Sequence, residues 1–331
     1  MLYAGTTLTL FFYKKILHFK YSIEININNT IFNDTVKKLK WKSLSAGNIF
    51  NIKNETSETL CNEIVVNTEN IKPISVHVPK HIKPKNDDQF GQYLAGLIDG
   101  NGQFNSKQQL VIKFNPLDAS LAYFIKKRLG YGSVKKVLAL NAYILVVESK
   151  QGIEKVINLI NGKIRTKIIS HQITDYILNH INYAEFSKNI TLQLNERDKF
   201  KNHWLAGFCD ACASFNIKIS KESKINQVRL NFQIDHTDKD LLLFIKNFLG
   251  GNNLYSNSKD TYFYLSTSFG SALNVINYFD RFHLLSSKHV NYLKWRKAYL
   301  IIQNKDHLNK DGFEKIIKLK ITMDRFNHTT I

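Results

Sequence analysis

The chain has 331 residues, 44% hydrophobic and 12% aromatic, which is enough apolar material for one or two ordinary cores and excludes wholesale disorder. A formal net charge of +19 excludes a surface on which positive and negative charges balance. It favours a polyanionic partner, and nucleic acid is the first expectation. The basic residues are scattered along the chain and not gathered on one amphipathic helix, so no membrane partner is expected.

Lysine dominates the basic residues, with 39 lysines against 7 arginines, and asparagine and isoleucine are also abundant. An AT-rich coding sequence produces this bias, which predicts an organellar gene and, for its product, a mitochondrial location. The three cysteines, Cys61, Cys209 and Cys212, are too few and too irregular for a disulfide framework, so a reducing compartment is expected. Cys209 and Cys212 have the spacing of half a zinc site, but no second pair follows, and no metal site is predicted.

Residues 1–89 show no long periodicity and are predicted to form an N-terminal extension or linker of low order. The apolar opening segment covers only about a dozen residues, short of the roughly 20 that span a bilayer. Residues 1–23 lack acidic residues and carry Lys14, Lys15 and Lys20, which would suit a transit peptide, although they contain no arginine. A protein encoded in the organelle would need no import signal.

From Phe90 onward, two copies of one pattern can be laid over each other. The copies are predicted over residues 90–186 and 201–303, with a polar linker at 187–200 and a basic tail at 304–331. Each opens with a nine-residue phrase, Leu-Ala-Gly-Leu-Ile-Asp-Gly-Asn-Gly at 94–102 and Leu-Ala-Gly-Phe-Cys-Asp-Ala-Cys-Ala at 205–213. Hydrophobic periodicity and capping residues then predict the order helix, hairpin, helix, hairpin, helix in each copy.

The first hairpin is clearest in the second copy, where residues 215–220 and 227–234 alternate apolar and polar side chains with period two. In the first copy, Leu110, Ile112 and Phe114 mark an equivalent apolar face less cleanly. The phrases are 111 residues apart and the following helices 120 apart, so the second copy carries nine extra residues. We place these in the hairpin around 220–227.

The two phrases resemble the LAGLIDADG signature of homing endonucleases and intron maturases. The resemblance covers residues 90 to about 303 and implies an α+β fold with two pseudo-symmetric αββαββα halves that form a saddle of antiparallel sheets. A monomer with an internal pseudo-twofold axis is therefore expected. In each phrase, small residues are expected to let the two motif helices pack closely; these are Ala95 and Gly96 in the first copy and Ala206 and Gly207 in the second. The acid at the sixth position, Asp99 or Asp210, is expected to fix the end of its helix.

In active members of this family, the eighth residue of each phrase is an acid that holds the catalytic Mg²⁺. Here these positions are Asn101 and Cys212. Because Mg²⁺ demands hard, preferably anionic oxygen ligands, a neutral amide and a soft thiol predict no cofactor, and Mg²⁺ is expected only if the chain is an endonuclease after all. The family also implies a basic residue in each half, for which Lys167 and Lys288 match by position and Lys163 competes in the first copy.

The polar strand faces are the predicted nucleic-acid-binding surface, because a twisted antiparallel ribbon fits the major groove and presents alternate side chains to base edges. A plain solvated sheet face is the alternative. The predicted contact residues are Asn105, Lys107 and Gln109 in the first copy, and Asn216, Lys218, Ser220, Gln227, Arg229, Asn231 and Gln233 in the second.

Three functions follow from the sequence. The first is an organellar, intron-encoded protein that binds nucleic acid without cutting it, acting as a maturase on a group I intron RNA. The second is a homing endonuclease that makes a site-specific double-strand cut in duplex DNA. The third is a structural RNA-binding component of an organellar ribosome.

Overall fold

The computed structural model describes residues 73–195, 200–222, 225–251, 253–258 and 261–328. All of them fall within one of the two units into which the chain divides, Cys61–Ile331. The expectations for residues 1–72 lie outside the described residues. Within the described ranges, no helix is both long enough and apolar enough to cross a lipid bilayer.

The first half follows the predicted order of elements. Its helices and strands are α1 (Asp87–Asn101), β1 (Gly102–Phe104), β2 (Leu110–Phe114), α2 (Ala119–Leu129), β3 (Ser133–Val137), β4 (Ala142–Val147), α3 (Lys150–Ile160), α4 (Lys167–Ile173) and α5 (Ala184–Lys188).

The second half repeats that order, and its last helix is much longer than the last helix of the first half. Its elements are α6 (Trp204–Cys212), β5 (Ala213–Glu222), β6 (Ile225–His236), α7 (Lys239–Leu249), β7 (Asn253–Ser258), β8 (Thr261–Ser266), α8 (Phe269–Phe279), α9 (Lys288–Gln303) and α10 (Lys310–His328).

Each half contains a four-stranded antiparallel sheet, with strand orders β1-β2-β4-β3 and β5-β6-β8-β7. The matching orders confirm the two pseudo-symmetric halves. The first hairpin is much longer in the second half, where β5 and β6 have 10 and 12 residues against 3 and 5 in β1 and β2. The extra residues of the second copy therefore lie in this hairpin, as predicted.

Local capping explains where the helices begin and end. The Asp238 carboxylate accepts the Leu241 backbone N–H at 3.0 Å and opens α7. Gly130 ends α2 in the left-handed region with φ of 77°, where a residue without a Cβ is favoured. An acidic residue at the start of a helix and a glycine just past its end are the residue types that capping favours.

Helices cover one face of each sheet and leave the other face open. In β2 the side chains of Leu110, Ile112 and Phe114 are buried, and in β5 those of Phe215 and Ile217 are buried. The residues between them on these strands point away from the helices, because side chains alternate across a strand. Each half therefore has an apolar core on one side of its sheet and an open face on the other.

Both ends of the described chain differ from expectation. Helix α1 begins at Asp87, three residues before the predicted boundary, and the extended segment 73–86 lies against the second half, where the Arg296 guanidinium donates to the Ser75 carbonyl at 3.0 Å. The segment after residue 303 is helical where a tail was expected. Ile316 and Met323 of α10 are buried at 0% and 1% exposure, because one apolar side of that helix docks on the second half.

Candidate nucleic-acid interface

The two motif helices, α1 and α6, pack against each other with direct backbone contact. A Cβ atom on Gly96 would lie 1.9 Å from the Trp204 carbonyl oxygen, and one on Gly207 would lie 2.0 Å from the Tyr93 carbonyl oxygen. Because no side chain fits at either point, glycine is required for this approach. Ala95 and Ala206 beside them are fully buried, so the two motif helices meet at small residues.

Asp99 and Asp210 hold the ends of the motif helices against the following segment. Asp99 accepts the backbone N–H groups of Arg165 and Thr166 at 2.9 and 3.2 Å and the Thr166 hydroxyl at 2.6 Å. Asp210 makes the equivalent bonds in the second half, to the backbone N–H groups of Leu285 and Ser286 and to the Ser286 hydroxyl. Both carboxylates are therefore fully used inside the protein.

Each of these acids also receives a hydrogen bond from the opposite motif helix. The Trp204 indole N–H donates to Asp99 at 2.9 Å, and the Tyr93 hydroxyl donates to Asp210 at 2.6 Å. Burial raises the pKa of Asp99 to about 6, against the lowering effect of its four donors, and raises the pKa of Asp210 in the same way. These acids cross-link the helix pair and do not replace the missing eighth-position carboxylates.

At the helix ends, Asn101 and Cys212 both use their side chains within the protein. The exposed Asn101 amide N–H donates to the Lys113 carbonyl at 2.7 Å, and the half-buried Cys212 thiol donates to the Phe208 carbonyl at 3.1 Å. Burial raises the pKa of the Cys212 thiol to about 12, so it is a neutral thiol near pH 7. One neutral amide oxygen and one protonated thiol do not fit Mg²⁺, which prefers anionic oxygen ligands.

Lys288 lies directly at the end of α6, as expected from its position in the sequence. Its ammonium group donates to the carbonyl oxygens of Cys209 and Ala211 at 3.2 and 3.1 Å, in the last turn of the helix, where a positive charge is favoured. At the end of α1, the imidazole Nε2 of His236 donates to the Asp99 carbonyl at 3.1 Å. A positive charge therefore stands beside Cys212, and a histidine occupies the related place beside Asn101.

The predicted pairing of Lys167 with Lys288 is wrong. Since Thr166 and Ser286 make the same bonds to the two acids, the offset between the halves is 120 residues here, and the counterpart of Lys288 is Ile168. Lys167 is exposed at the start of α4. Lys163 is also excluded, because its ammonium pairs with Asp88 at 3.4 Å, at the other end of α1.

The open face of the second sheet carries the predicted polar side chains in cross-strand pairs, which are Asn216 with Asn231, Lys218 with Arg229, and Ser220 with Gln227. Lys218 and Arg229 are exposed, and like charges directly opposite each other destabilise a sheet unless an anion covers them. Asn231 differs from expectation, because it is only 6% exposed and its Oδ1 has no hydrogen-bond partner among the described residues. Gln233 donates to Asp235 at 2.9 Å on the same face.

In the first half, Asn105, Lys107 and Gln109 lie in the turn between β1 and β2 and not on a strand. The side-chain Oδ1 of Asn105 accepts the backbone N–H groups of Lys107 and Gln109 at 3.0 and 3.2 Å, and the Gln109 side-chain amide donates to Glu148 at 3.0 Å. Asn105 and Gln109 therefore stabilise the turn. Lys107 is exposed at its tip.

Sequence reasoning missed several residues on the open faces. In the first sheet these are Gln103, Lys113 and Lys135, which are exposed and share one face by strand register. In the second sheet they are Asp235, Phe263 and Tyr255, and the last two stack with ring centroids 4.9 Å apart. Only the register, which pairs β6 with β8 and β8 with β7, brings these residues to the predicted surface.

A cavity of about 380 Å³ lies beside the end of α1, and both halves line it. Its walls include Asn101 and Gln103 from the first half and Asp235 and His236 from the second. The Asp235 carboxylate is close enough to Cys212 to raise the pKa of that thiol further. The helix ends, the cavity and the two open faces therefore form one continuous polar region.

The protein has a duplicated α+β architecture in which a pair of helices meets at glycines between two sheets. This architecture defines a class of single-chain proteins with two motifs. Comparison with known proteins shows which family this is. Residues 205–299 match the family model of the LAGLIDADG endonuclease. The cox1 intron-2 37.2 kDa protein of Schizosaccharomyces pombe is 54% identical over 320 residues, which cover 96% of this chain and 95% of that protein. The chain belongs to the LAGLIDADG family.

Among the more distant relatives, one is named a DNA endonuclease and another an RNA maturase. The intron-encoded DNA endonuclease aI3 of Saccharomyces cerevisiae is 26% identical over 66% of this chain and 65% of its own length. The intron-encoded RNA maturase bI4 of the same yeast is 29% identical over 63% of this chain and 33% of its own length. Among solved structures, the I-LtrWI LAGLIDADG homing endonuclease bound to target DNA has a TM-score of 0.58 at 22% identity, covering 72% of this chain and 98% of that one, which supports the fold.

Proposed function

We propose that this chain is a mitochondrial, intron-encoded protein that binds nucleic acid without metal-dependent cleavage and acts as a maturase on a group I intron RNA. The observation that carries the proposal is the chemistry at the two motif-helix ends. There the Asn101 amide and the Cys212 thiol are neutral and hydrogen-bonded inside the protein, and the Lys288 ammonium stands beside Cys212. The motif helices of both halves come from one chain, so a monomer is proposed.

Loss of the two acids favours binding as well as preventing cleavage. A carboxylate about 4 Å from a phosphate would repel it by about 4 kcal/mol at an effective dielectric constant of 20, before screening by salt. With Asn101 and Cys212 in these positions that repulsion is absent. A maturase needs affinity and preorganisation and no catalytic acid, because the intron RNA performs the splicing chemistry itself.

The open face of the second sheet supports RNA as the ligand. Lys218 and Arg229 supply positive charge for phosphates, while Tyr255 and Phe263 form a stacked aromatic pair at the far strands of the same face. Proteins that recognise single-stranded loops in RNA combine charge with aromatic platforms on which unpaired bases stack. The likeness to an RNA maturase among the relatives supports the same proposal.

The proposal is tested with precursor RNA that contains the host intron. The full chain should bind this RNA more tightly than the intronless duplex DNA and should lower the Mg²⁺ concentration at which the intron splices. Asn101→Asp should weaken RNA binding about tenfold in the absence of divalent ions, since it restores a negative charge beside the phosphate. Asn158→Asp, on the exposed side of α3, adds the same charge outside the interface and should leave binding unchanged.

A homing endonuclease is the second candidate, because relatives carry that name and the fold matches a homing endonuclease. The Asp235 carboxylate near the helix ends is the group that could contribute to a metal site under this alternative. Preferred binding to duplex DNA, together with no effect on splicing, would favour this candidate over the maturase.

A further inference from the structure

Three histidines converge where the extended segment 73–86 meets the second half, away from the motif-helix ends. His81 lies on that segment, His283 lies in the loop after α8, and His289 lies in the first turn of α9. A ring nitrogen from each lies within 4.8 Å of those from the other two, and this is the group of potential metal ligands found in the described part of the chain. The ring centroids of His81 and His289 are 4.5 Å apart.

Hydrogen bonds to carbonyl groups determine which nitrogen of two rings carries the proton. A carbonyl oxygen only accepts, so Nε2 of His81 donates to Leu284 at 2.8 Å and Nε2 of His283 donates to Asp280 at 3.0 Å. The Nδ1 atom of each ring is then the one with a lone pair. Histidines that bind metals are usually oriented in this way, by an N–H bond from the other ring nitrogen to a carbonyl or carboxylate.

The remaining nitrogens have weak partners or none. His283 Nδ1 accepts the Ile82 backbone N–H at 3.3 Å, which is a long hydrogen bond. His289 Nδ1 is buried and has no hydrogen-bond partner among the described residues. A buried nitrogen without a partner is costly, and an ion bound to it would remove that cost.

The spacing of the three rings also suits a metal. Zinc binds histidine nitrogens at about 2.0 to 2.1 Å, which places nitrogens of a tetrahedral site roughly 3.4 Å apart. The nitrogens lie at most 4.8 Å apart, so closing the site requires each pair to approach by at most about 1.4 Å. The exposed His81 side chain can move toward the other two rings, and His283 and His289 must also approach each other.

We propose that His81, His283 and His289 form a zinc site, with water as the fourth ligand, that fastens the extended segment 73–86 to the second half. Nitrogen donors favour Zn²⁺ and similar transition-metal ions over Mg²⁺ or Ca²⁺. The segment is already held beside this point by Arg296, whose guanidinium donates to the Ser75 and His77 carbonyls at 3.0 and 3.3 Å and pairs with Asp280. The ion would therefore strengthen a contact that exists without it, and the proposal is independent of the maturase function.

The test uses the full, untagged chain after treatment with EDTA. Titration with ZnCl₂ against a chromophoric chelator should show one saturable equivalent whose affinity falls at least tenfold in His81→Ala and in His289→Ala. His77→Ala is the matched control, because His77 is exposed on the same segment and its side chain is outside the cluster. Cobalt bound to the wild-type chain should show the visible absorption bands of a four-coordinate site, and His81→Ala should lose them.

A second readout follows the segment itself. Zinc should slow proteolytic cleavage within residues 73–86 in the wild-type chain and not in His81→Ala. Binding that is unchanged in both His81→Ala and His289→Ala would overturn the proposal. So would binding that survives those changes but is lost in Cys212→Ser, since the ion would then belong to the cysteine pair of α6.

Discussion

Trp204 donates its indole N–H to the carboxylate of Asp99 across the interface between the two motif helices, over 2.9 Å. In the other half, Tyr93 and Asp210 form the related contact. Each sixth-position acid thus binds its own half through backbone N–H groups and the other half through an aromatic donor. The two motif acids therefore join the halves of the protein.

Asp99→Asn should destabilise the fold although it removes a buried charge. Asp99 accepts four hydrogen bonds and donates none, so an asparagine amide N–H would face donors such as the Arg165 N–H and the Trp204 indole. Leaving such groups without an acceptor costs about 1 to 3 kcal/mol each, and we expect a loss of about 2 to 4 kcal/mol in the free energy of unfolding. Urea denaturation at pH 7 measures it. Asp87→Asn, at an exposed position, should change stability by less than about 0.5 kcal/mol.

The pKa of Asp99 predicts how this contribution depends on pH. Burial raises the pKa to about 6 in the folded state, whereas the ordinary value is 3.8. The folded state therefore binds more protons than the unfolded state between these values, and stability falls as the pH rises from about 4 to about 6, by on the order of 3 kcal/mol for this group. The difference in unfolding free energy between wild type and Asp99→Asn should shrink over that range. A difference that grows with pH would contradict the assignment.

Gly96→Ala should separate the motif helices. The added Cβ would lie 1.9 Å from the Trp204 carbonyl oxygen, and backbone atoms cannot move aside without opening the interface. We expect a loss of more than about 3 kcal/mol in unfolding free energy, measured by thermal or urea denaturation. Gly270→Ala is the matched control, because its Cβ would meet nothing within 4 Å, and it should be neutral or slightly stabilising. Equal effects of the two changes would show that the helices do not approach this closely.

Lys218→Ala should weaken binding to nucleic acid and flatten its salt dependence. Lys218 is exposed on the open face of the second sheet opposite Arg229, where a phosphate would relieve the repulsion between the two charges. Loss of one phosphate contact lowers the slope of log K against log salt concentration by about 1. Lys127→Ala removes the same charge from the exposed side of α2 and should leave the slope unchanged. A filter-binding series over salt concentrations distinguishes them.

The repeat made most of the fold predictable. Two phrases in register located both motif helices, the difference in spacing located the long hairpin, and Gly96 and Gly207 indicated a close helix contact. The pairing of Lys167 with Lys288 failed because it implies an offset of 121 residues, whereas Thr166 and Ser286, which make the equivalent bonds, are 120 residues apart. In a chain so rich in lysine, a lysine can be found close to almost any position. Only the hydrogen bonds to Asp99 and Asp210 establish which residues of the two halves correspond.

Long-range proximity accounts for what the sequence did not reveal. His81 is about 200 residues from His283 along the chain, and no local pattern connects them. The turn residue Asn105 has the composition of a nucleic-acid contact, but its side chain accepts backbone N–H groups and stabilises the turn. Tyr255 lies on the open face because of the register of β7 with β8. The helix α10 was not predicted, because its buried side packs on a surface that only the folded second half provides.

Cleavage of the intronless target tests the central claim most directly. The full chain is incubated with a plasmid that carries the joined host exons, in Mg²⁺ and separately in Mn²⁺, at a protein concentration that saturates binding to precursor RNA. Because neither Asn101 nor Cys212 supplies an anionic oxygen, the plasmid should remain circular in both metals. A linear product cut at one site would contradict the loss of nuclease activity and make the chain a homing endonuclease.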